Sequence, residues 1–338
     1  MLEVAENILP FVEKAGNRVT KPAVEDVPSV SIAEALADHL SACLPAPSHP
    51  LFAPANHHFQ APGKMLRSRV ALAAGLQQGM SRMAALDWAI AIELMHNASL
   101  VHDDICDDDK QRRNRPSLWA AFGRATAICF GDWLIAKSFE LAARVQSETD
   151  KPFTALLAKT MSDLSTGQAA EFSNGAVSNC ETYLDVVAGK TTPLFMAAIE
   201  GPFLINETAE THDIVACRKI FEHIGFAYQI ANDIDNHQML KNGAETGDLL
   251  RGAPNAVYIC YRSGLSDDRR ALFDKWQNAE TKPYRHSWLA DITKSDAEAM
   301  ASALFAEHLH KVTELQSELS LELARLVSPI CAYLSGDK

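Results

Sequence analysis

Apolar residues recur at three- and four-residue spacing along most of the chain, and the two-residue alternation of strands is scarce. From Ser31 the run SIAEALADHLSACL reads as an amphipathic helix, and a connector with Pro45, Pro47, Pro50 and Pro54 follows. After Pro62 and Gly63 the pattern predicts a helix from Lys64 to about Leu76. Arg82 to Asp104 is nearly continuous and apolar enough for a buried core helix. Pro116 to Val145 reads as another, with Gly123 and Gly131 as breaks or close contacts. Further helices are predicted over Thr154–Ser173, Glu181–Ala198 and His212 to about Asn236, and amphipathic ones over Ser295–Leu334; Val257–Arg262 is short and apolar. The chain is therefore read as all-α. Its 338 residues would allow about two domains. No composition shift marks a second, so the expectation is a weakly tied leader over 1–30 and one helical domain over 31–338.

Composition narrows the class. Hydrophobic residues make up 47% and charged residues 22%, with a net charge of −12. That field argues against a general nucleic-acid or anionic-membrane binder. No stretch approaches the roughly 18–20 apolar residues of a membrane span. The amino terminus is acidic where a signal peptide is basic. The seven cysteines are scattered without metal-ligand spacing, and are read as reduced thiols of a cytoplasmic protein.

Some of the acid is concentrated. Residues 103–109 read Asp-Asp-Ile-Cys-Asp-Asp-Asp, at the end of the apolar helix. A run of charge is ordinarily a solvated face, but negative charge at a helix C-terminus opposes the macrodipole, at about 0.3–1 kcal/mol per charge. Asp103 and Asp107 share one helix face, roughly 6 Å apart, and repel unless a cation lies between them. Two hard oxygen ligands on one face suit Mg²⁺, which fills its octahedron with water and phosphate oxygens. Arg112 and Arg113 follow, suited to bidentate phosphate contacts.

With those residues in place, HNASLVHDDICDDDKQRRNRPS resembles the first aspartate-rich motif of the trans-isoprenyl diphosphate synthases, or polyprenyl synthetases. Gly63-Lys64-Met65-Leu66-Arg67 is similar to that family's Gly-Lys-x-x-Arg. Gly131-Asp132, Gly167-Gln168 with Glu171, Lys190-Thr191 and the run Gly225 to Asp233 match further landmarks in order, over about residues 35 to 330. The resemblance implies the isoprenoid synthase fold, a bundle of mostly antiparallel helices around a cavity. It also implies Mg²⁺-dependent condensation of an allylic diphosphate with isopentenyl diphosphate, with two or three ions and a homodimer, in which the apolar helices around Ala120–Ala136 are the expected interface. Carried over, Asp103 and Asp107 hold metal and Asp104 supports them. Arg112, Lys190, Thr191 and Gln229 contact the allylic diphosphate, and Lys64, Arg67, His96 and Arg113 form the isopentenyl diphosphate site. In isolation His96 reads equally well as a satisfied core histidine; it lies seven residues before Asp103, two turns down the same face. Ala98 and Ser99, with Met95 and Leu94 beyond, would line the path of the growing tail. Both Ala98 and Ser99 are small, which favours C20 or longer products.

The second motif departs from the pattern. Asn232, Asp233 and Asn236 stand where the family has three aspartates, so metal binding by Asn232 and Asp233 should be weaker. The stretch from Gly247 to Pro254 also lacks the expected lysine. Asn232-Asp233 fits the start of a class I terpene synthase motif, which opens a reading as an enzyme that ionises a prenyl diphosphate without isopentenyl diphosphate. Asn236 and Leu240 do not continue that motif, and the intact set Lys64, Arg67, His96 and Arg113 favours elongation. A low-activity regulatory subunit of a heteromeric synthase is a third reading; such subunits usually lose the first motif, which is intact here.

Overall fold

A computed structural model describes residues 31–61, 63–113, 115–173, 179–205, 211–241, 254–277 and 285–335. The leader over 1–30, the side chain of Glu171 and the stretch 247–253 lie outside the described residues. In chain order the helices are α1 (Ile32–Cys43), α2 (Phe52–Phe59), α3 (Leu66–Gln77), α4 (Arg82–Cys106), α5 (Leu118–Phe122), α6 (Arg124–Thr149), α7 (Phe153–Ser173) and α8 (Cys180–Phe203). They continue with α9 (Thr211–Lys241), α10 (Ala256–Ser263), α11 (Asp267–Gln277), α12 (Arg285–Lys294), α13 (Ala297–Gln316) and α14 (Leu321–Ser335). The chain divides into two compact units. One takes the chain up to Met161, Leu194–Cys217 and everything from Leu319; the other takes Ser162–Pro193 and Arg218–Glu318.

In the first unit α4 is the central rod, packed on α1, α3, α5 and α6. It starts at Ser81, whose hydroxyl accepts the Ala84 N–H at 3.1 Å. Trp88, Ile90, Ile92 and Leu94 are fully buried, each worth about 1.5–3 kcal/mol relative to exposure. Gly131 on α6 is required by a close approach, since a Cβ there would collide with the ring of His102 on α4. The helix expected over Pro116–Val145 is two helices, because Gly123 has φ +86° and serves as the C-cap of α5 and the N-cap of α6. The proline connector hides α2; Pro54 occupies its third position, where no N–H needs a partner. Gln111–Arg112 and Arg115–Pro116 form a small antiparallel ladder, β1 and β2, too short to show alternation in sequence.

The second unit is built on α10 and α12 against α13. Tyr258, Tyr261, Phe273, Trp276 and Trp288 form one aromatic cluster, with Phe273 and Trp288 centroids 5.3 Å apart. The helix α11 (DDRRALFDKWQ) is so polar that its pattern is silent; Phe273 and Trp276 supply most of its anchor. No helix among the described residues is long and apolar enough to cross a membrane. Six cysteines are described, all unbridged, with Cys43 and Cys217 buried and Cys106 and Cys129 exposed.

Candidate active site

The aspartate cluster sits on the C-terminal turn of α4. The helix ends in a Schellman arrangement: the Asp109 N–H donates to Asp104 O at 2.9 Å and the Asp108 N–H to Ile105 O at 3.4 Å. Asp108 takes the left-handed position with φ 54°, a role more common for glycine. Its carboxylate pairs with Arg124, which also donates to Ile105 O at 2.9 Å. Asp103 and Asp107 are half-buried on this turn, whereas Asp104 is 1% exposed. Asp104 accepts Arg112 Nε at 2.8 Å and Nη2 at 2.7 Å on one oxygen. Burial pushes the Asp104 carboxyl up, opposed by Arg112 and Arg113. No group of three or more acidic, histidine or cysteine side chains is poised around a metal among the described residues. Mg²⁺ that draws its other ligands from water and phosphate needs only two carboxylates, and Asp103 and Asp107 fit that donor set.

Beside the cluster the first unit concentrates cations. Arg67 Nη1 lies 3.4 Å from His96 Nε2, and its guanidinium stacks 4.3 Å over Phe195. A Cβ on Gly63 would lie 2.5 Å from Arg113 Nη2, so glycine lets the Gly-Lys-x-x-Arg segment pack against the β1–β2 turn. Burial holds His96 well below the usual histidine range, and Arg67, Arg113 and Arg112 push it further down. The ring is therefore neutral beside Arg67, in the field of Arg113 and Arg112. Met65, the N-cap of α3, and Arg113 both adopt left-handed backbone, at φ 52° and 53°, which costs each about 1–2 kcal/mol.

Under these residues runs a buried polar chain that the sequence did not signal. Glu93, 4% exposed, accepts Asn97 Nδ2 at 3.1 Å and contacts Ser68 Oγ at 3.0 Å. Ser68 also reaches Met65 O at 2.9 Å. Asn97 gives its second amide hydrogen to Glu93 O at 2.8 Å, so its oxygen faces His58 Nε2 at 2.9 Å and that nitrogen carries the proton. Burial raises the Glu93 carboxyl, and burial lowers His58 to about 4.

In the second unit, α7, α8 and α9 meet through small residues. A Cβ on Gly167 would lie 2.6 Å from the Gly189 carbonyl, and one on Gly225 would lie 3.0 Å from Thr191 Cγ2. These contacts fix the backbone that carries Gln168, Lys190 and Thr191. On α9, Asn232 and Asn236 are half-buried and Asp235 is exposed, while Asp233 is 3% exposed. Asp233 accepts the Tyr183 hydroxyl at 2.8 Å, Gln229 Nε2 at 2.8 Å and the Ala256 N–H at 2.7 Å.

Residues 48–284 match the profile of the polyprenyl synthetase family. The chain belongs to that family. It is 31% identical over 232 residues to an all-trans-nonaprenyl-diphosphate synthase (geranyl-diphosphate specific) of Rhodobacter capsulatus, covering 64% of this chain and 67% of that one. It is 34% identical over 242 residues to a geranylgeranyl diphosphate synthase of Saccharolobus solfataricus, covering 67% and 71%. The fold resembles the crystal structure of a decaprenyl diphosphate synthase from Rhodobacter capsulatus, with TM-score 0.77, 20% identity and 98% of each chain covered. The chain is thus a trans-prenyltransferase with the all-α isoprenoid synthase fold, as its motifs lead one to expect.

For this polyprenyl synthetase the structure sets Arg67 against His96, with Arg113 and Arg112 near enough for their charges to act on that ring, and places Lys64, exposed, just before α3. Of the residues expected along the tail, Met95 and Ala98 are 2% and 1% exposed and Ser99 is half-buried. The Ser99 hydroxyl donates to His96 O at 2.8 Å, which spends its polarity on its own helix. Sequence reasoning missed Glu93, Ser68, Asn97 and Tyr183.

Proposed function

We propose that this polyprenyl synthetase condenses an allylic diphosphate with isopentenyl diphosphate to give a longer trans-polyprenyl diphosphate. The observation that supports this best is Arg67 Nη1 at 3.4 Å from His96 Nε2, on a ring that burial and the charges of Arg67, Arg113 and Arg112 hold neutral. Arg67 and Arg113 acting on a ring that adds no charge suit a second polyanion beside the one assigned to Arg112, and a reaction on a single allylic substrate needs no such second diphosphate site. Lys64, Arg67, His96 and Arg113 hold isopentenyl diphosphate. The family motifs assign Arg112 of the first unit, and Lys190, Thr191 and Gln229 of the second, to the allylic diphosphate, and Asp104 fixes the Arg112 guanidinium. Asp103 and Asp107 are the ligands for Mg²⁺, two or three ions in all, with Asn232 an uncharged and weaker one. When bound, the ions neutralise the diphosphate as it departs. The allylic C–O bond breaks with its electron pair leaving on diphosphate, the isopentenyl double bond attacks the resulting allylic cation, and the new cation so formed gives a proton from the adjacent carbon to the released diphosphate, which restores a double bond.

The small, half-buried Ser99 supports a product of C20 or longer. A homodimer is supported by the face of α6 and its approach, where Ile128 is 46% exposed and Ala120, Ala121, Ala125 and Ala136 are exposed. The test is to incubate the protein with Mg²⁺ and dimethylallyl, geranyl, farnesyl or geranylgeranyl diphosphate, with and without isopentenyl diphosphate. Elongation gives longer diphosphates only when isopentenyl diphosphate is present. Hydrocarbons or alcohols formed without it would show a terpene synthase instead, and activity only with an added partner chain would show a regulatory subunit.

A further inference from the structure

We propose that Tyr183 is a positioning residue for Gln229, acting through Asp233, and that Asp233 is the centre of this clamp rather than a metal ligand. Asp233 is 3% exposed. One of its oxygens takes the Tyr183 hydroxyl at 2.8 Å and the Ala256 N–H at 2.7 Å, and the other takes Gln229 Nε2 at 2.8 Å. Its backbone carbonyl accepts Asn255 Nδ2 at 3.3 Å, and Asn255 in turn caps α10 by accepting the Val257 N–H at 2.9 Å. Both oxygens are thus committed within the protein, and a buried carboxylate so held has nothing to gain from leaving these donors for an ion. The first turn of α10 adds its positive dipole end, which favours the ionised carboxylate.

The consequence falls on Gln229. An ionised carboxylate only accepts, so the amide nitrogen of Gln229 must face Asp233 and its oxygen is turned to the other side. An asparagine at 233 removes that rule, because it can offer either group and Gln229 can reverse. Tyr183 has one hydrogen to give and gives it to Asp233, which stops the carboxylate from rotating about its Cβ–Cγ bond. Burial holds the Tyr183 hydroxyl well above the usual range, so it remains a donor across the working pH. The carboxylate therefore selects one of two nearly isosteric orientations of a residue assigned to the allylic diphosphate.

The clamp joins Tyr183 on α8, Gln229 and Asp233 on α9 and the N-terminus of α10, and all of it lies within the second unit. It accounts for an aspartate persisting at 233 while positions 232 and 236 carry amides. Position 232 needs only a ligand oxygen, whereas 233 needs a pure acceptor.

The experiment compares Tyr183→Phe and Asp233→Asn with the native chain. Tyr183→Phe keeps the ring, so the fold survives, and kcat should fall about tenfold with KM for isopentenyl diphosphate unchanged. Asp233→Asn should lower kcat about a hundredfold, and the double variant no further. Metal binding, followed by Mn²⁺ titration in the presence of inorganic diphosphate, should be the same in all four proteins. The kinetic arm rests on the proposed reaction; a second arm does not. In protein labelled with ¹⁵N-glutamine, the side-chain amide of Gln229, assigned by its loss in Gln229→Met, should shift in both single variants. A native chain inactive in every mixture overturns the reaction, while that amide shift still decides the clamp. Mn²⁺ binding weakened tenfold or more by Asp233→Asn, or a Gln229 amide unmoved in Tyr183→Phe, overturns the clamp.

Discussion

Arg112 sets two nitrogens, Nε at 2.8 Å and Nη2 at 2.7 Å, on a single oxygen of Asp104. The second aspartate of the cluster is thereby separated in role from the first. Asp104 is buried and engaged, whereas Asp103, one residue earlier on the same turn, is half-buried. Adjacent positions on a helix point about 100° apart, so the same residue type serves as an anchor and as a candidate ligand.

Different phenotypes follow for these neighbours. Asp104→Ala removes the hydrogen-bonded partner of a half-buried guanidinium and should cost about 1–3 kcal/mol of stability. Asp103→Ala should abolish turnover. Thermal melts beside single-turnover assays check both. Retained turnover in Asp103→Ala would refute the metal assignment.

Acid should destabilise the protein through two histidines. Burial lowers His58 and His308 to about 4; His308 is further lowered by His223, whose Nδ1 is 2.9 Å from its own. Both folded values lie below the unfolded value of about 6.5, so between the two the unfolded chain binds more protons. Their contribution is complete above about pH 6.5 and is lost as pH falls toward 4. Melting temperatures should drop between pH 7 and pH 5, and His308→Phe should flatten that slope.

Much of the fold is legible in the sequence because long helices repeat their apolar spacing many times. The C-terminal turn of α4 is legible as well, since five aspartates in seven residues need a reason. What stays hidden is short or relational. Two-residue strands carry no period, and α11 buries little more than Phe273 and Trp276. Tyr183 sits in an unremarkable run, ETYLD, and its meaning depends on Asp233 fifty residues away. The family resemblance marks Asp233 for a metal, because a motif says which residue type is present and not which of its oxygens are already taken.

Glu93 should accept a neutral replacement. Ser68 has one hydroxyl hydrogen and two acceptors, Met65 O at 2.9 Å and Glu93 Oε2 at 3.0 Å. A proton on Glu93 Oε2 resolves the conflict, since it can donate to Ser68 Oγ while Ser68 donates to Met65. The upward shift of Glu93 agrees with this. A raised acid favours the folded state at low pH, and its contribution falls as pH rises from about 4.5 through the folded value. Glu93→Gln places an amide nitrogen where the proton would be, so at pH 8 it should be at least as stable as the native chain, by up to about 1 kcal/mol. Urea titrations of both at pH 5 and pH 8 measure it; a loss of more than about 2 kcal/mol at pH 8 would mean that Glu93 works as the anion.

Product length should respond at Ser99 and not usefully at Ala98. The two are adjacent and both small, but Ala98 is 1% exposed within the helical core of the first unit and Ser99 is half-buried. A phenyl ring at 98 has no free volume to enter, so Ala98→Phe should overpack the core and cost about 1–3 kcal/mol. At 99 the ring gains open space and loses only the hydroxyl bond to His96 O at 2.8 Å, made within its own helix. If the tail of the growing chain runs along this face of α4, one turn of 5.4 Å is about one isoprene unit. Ser99→Phe should then shorten the main product to near C15 while the melting temperature stays within about 3 °C. Reversed-phase analysis of the dephosphorylated products reads the length directly. An unchanged product distribution in Ser99→Phe, with elongation intact, would place the floor of the cavity on another helix.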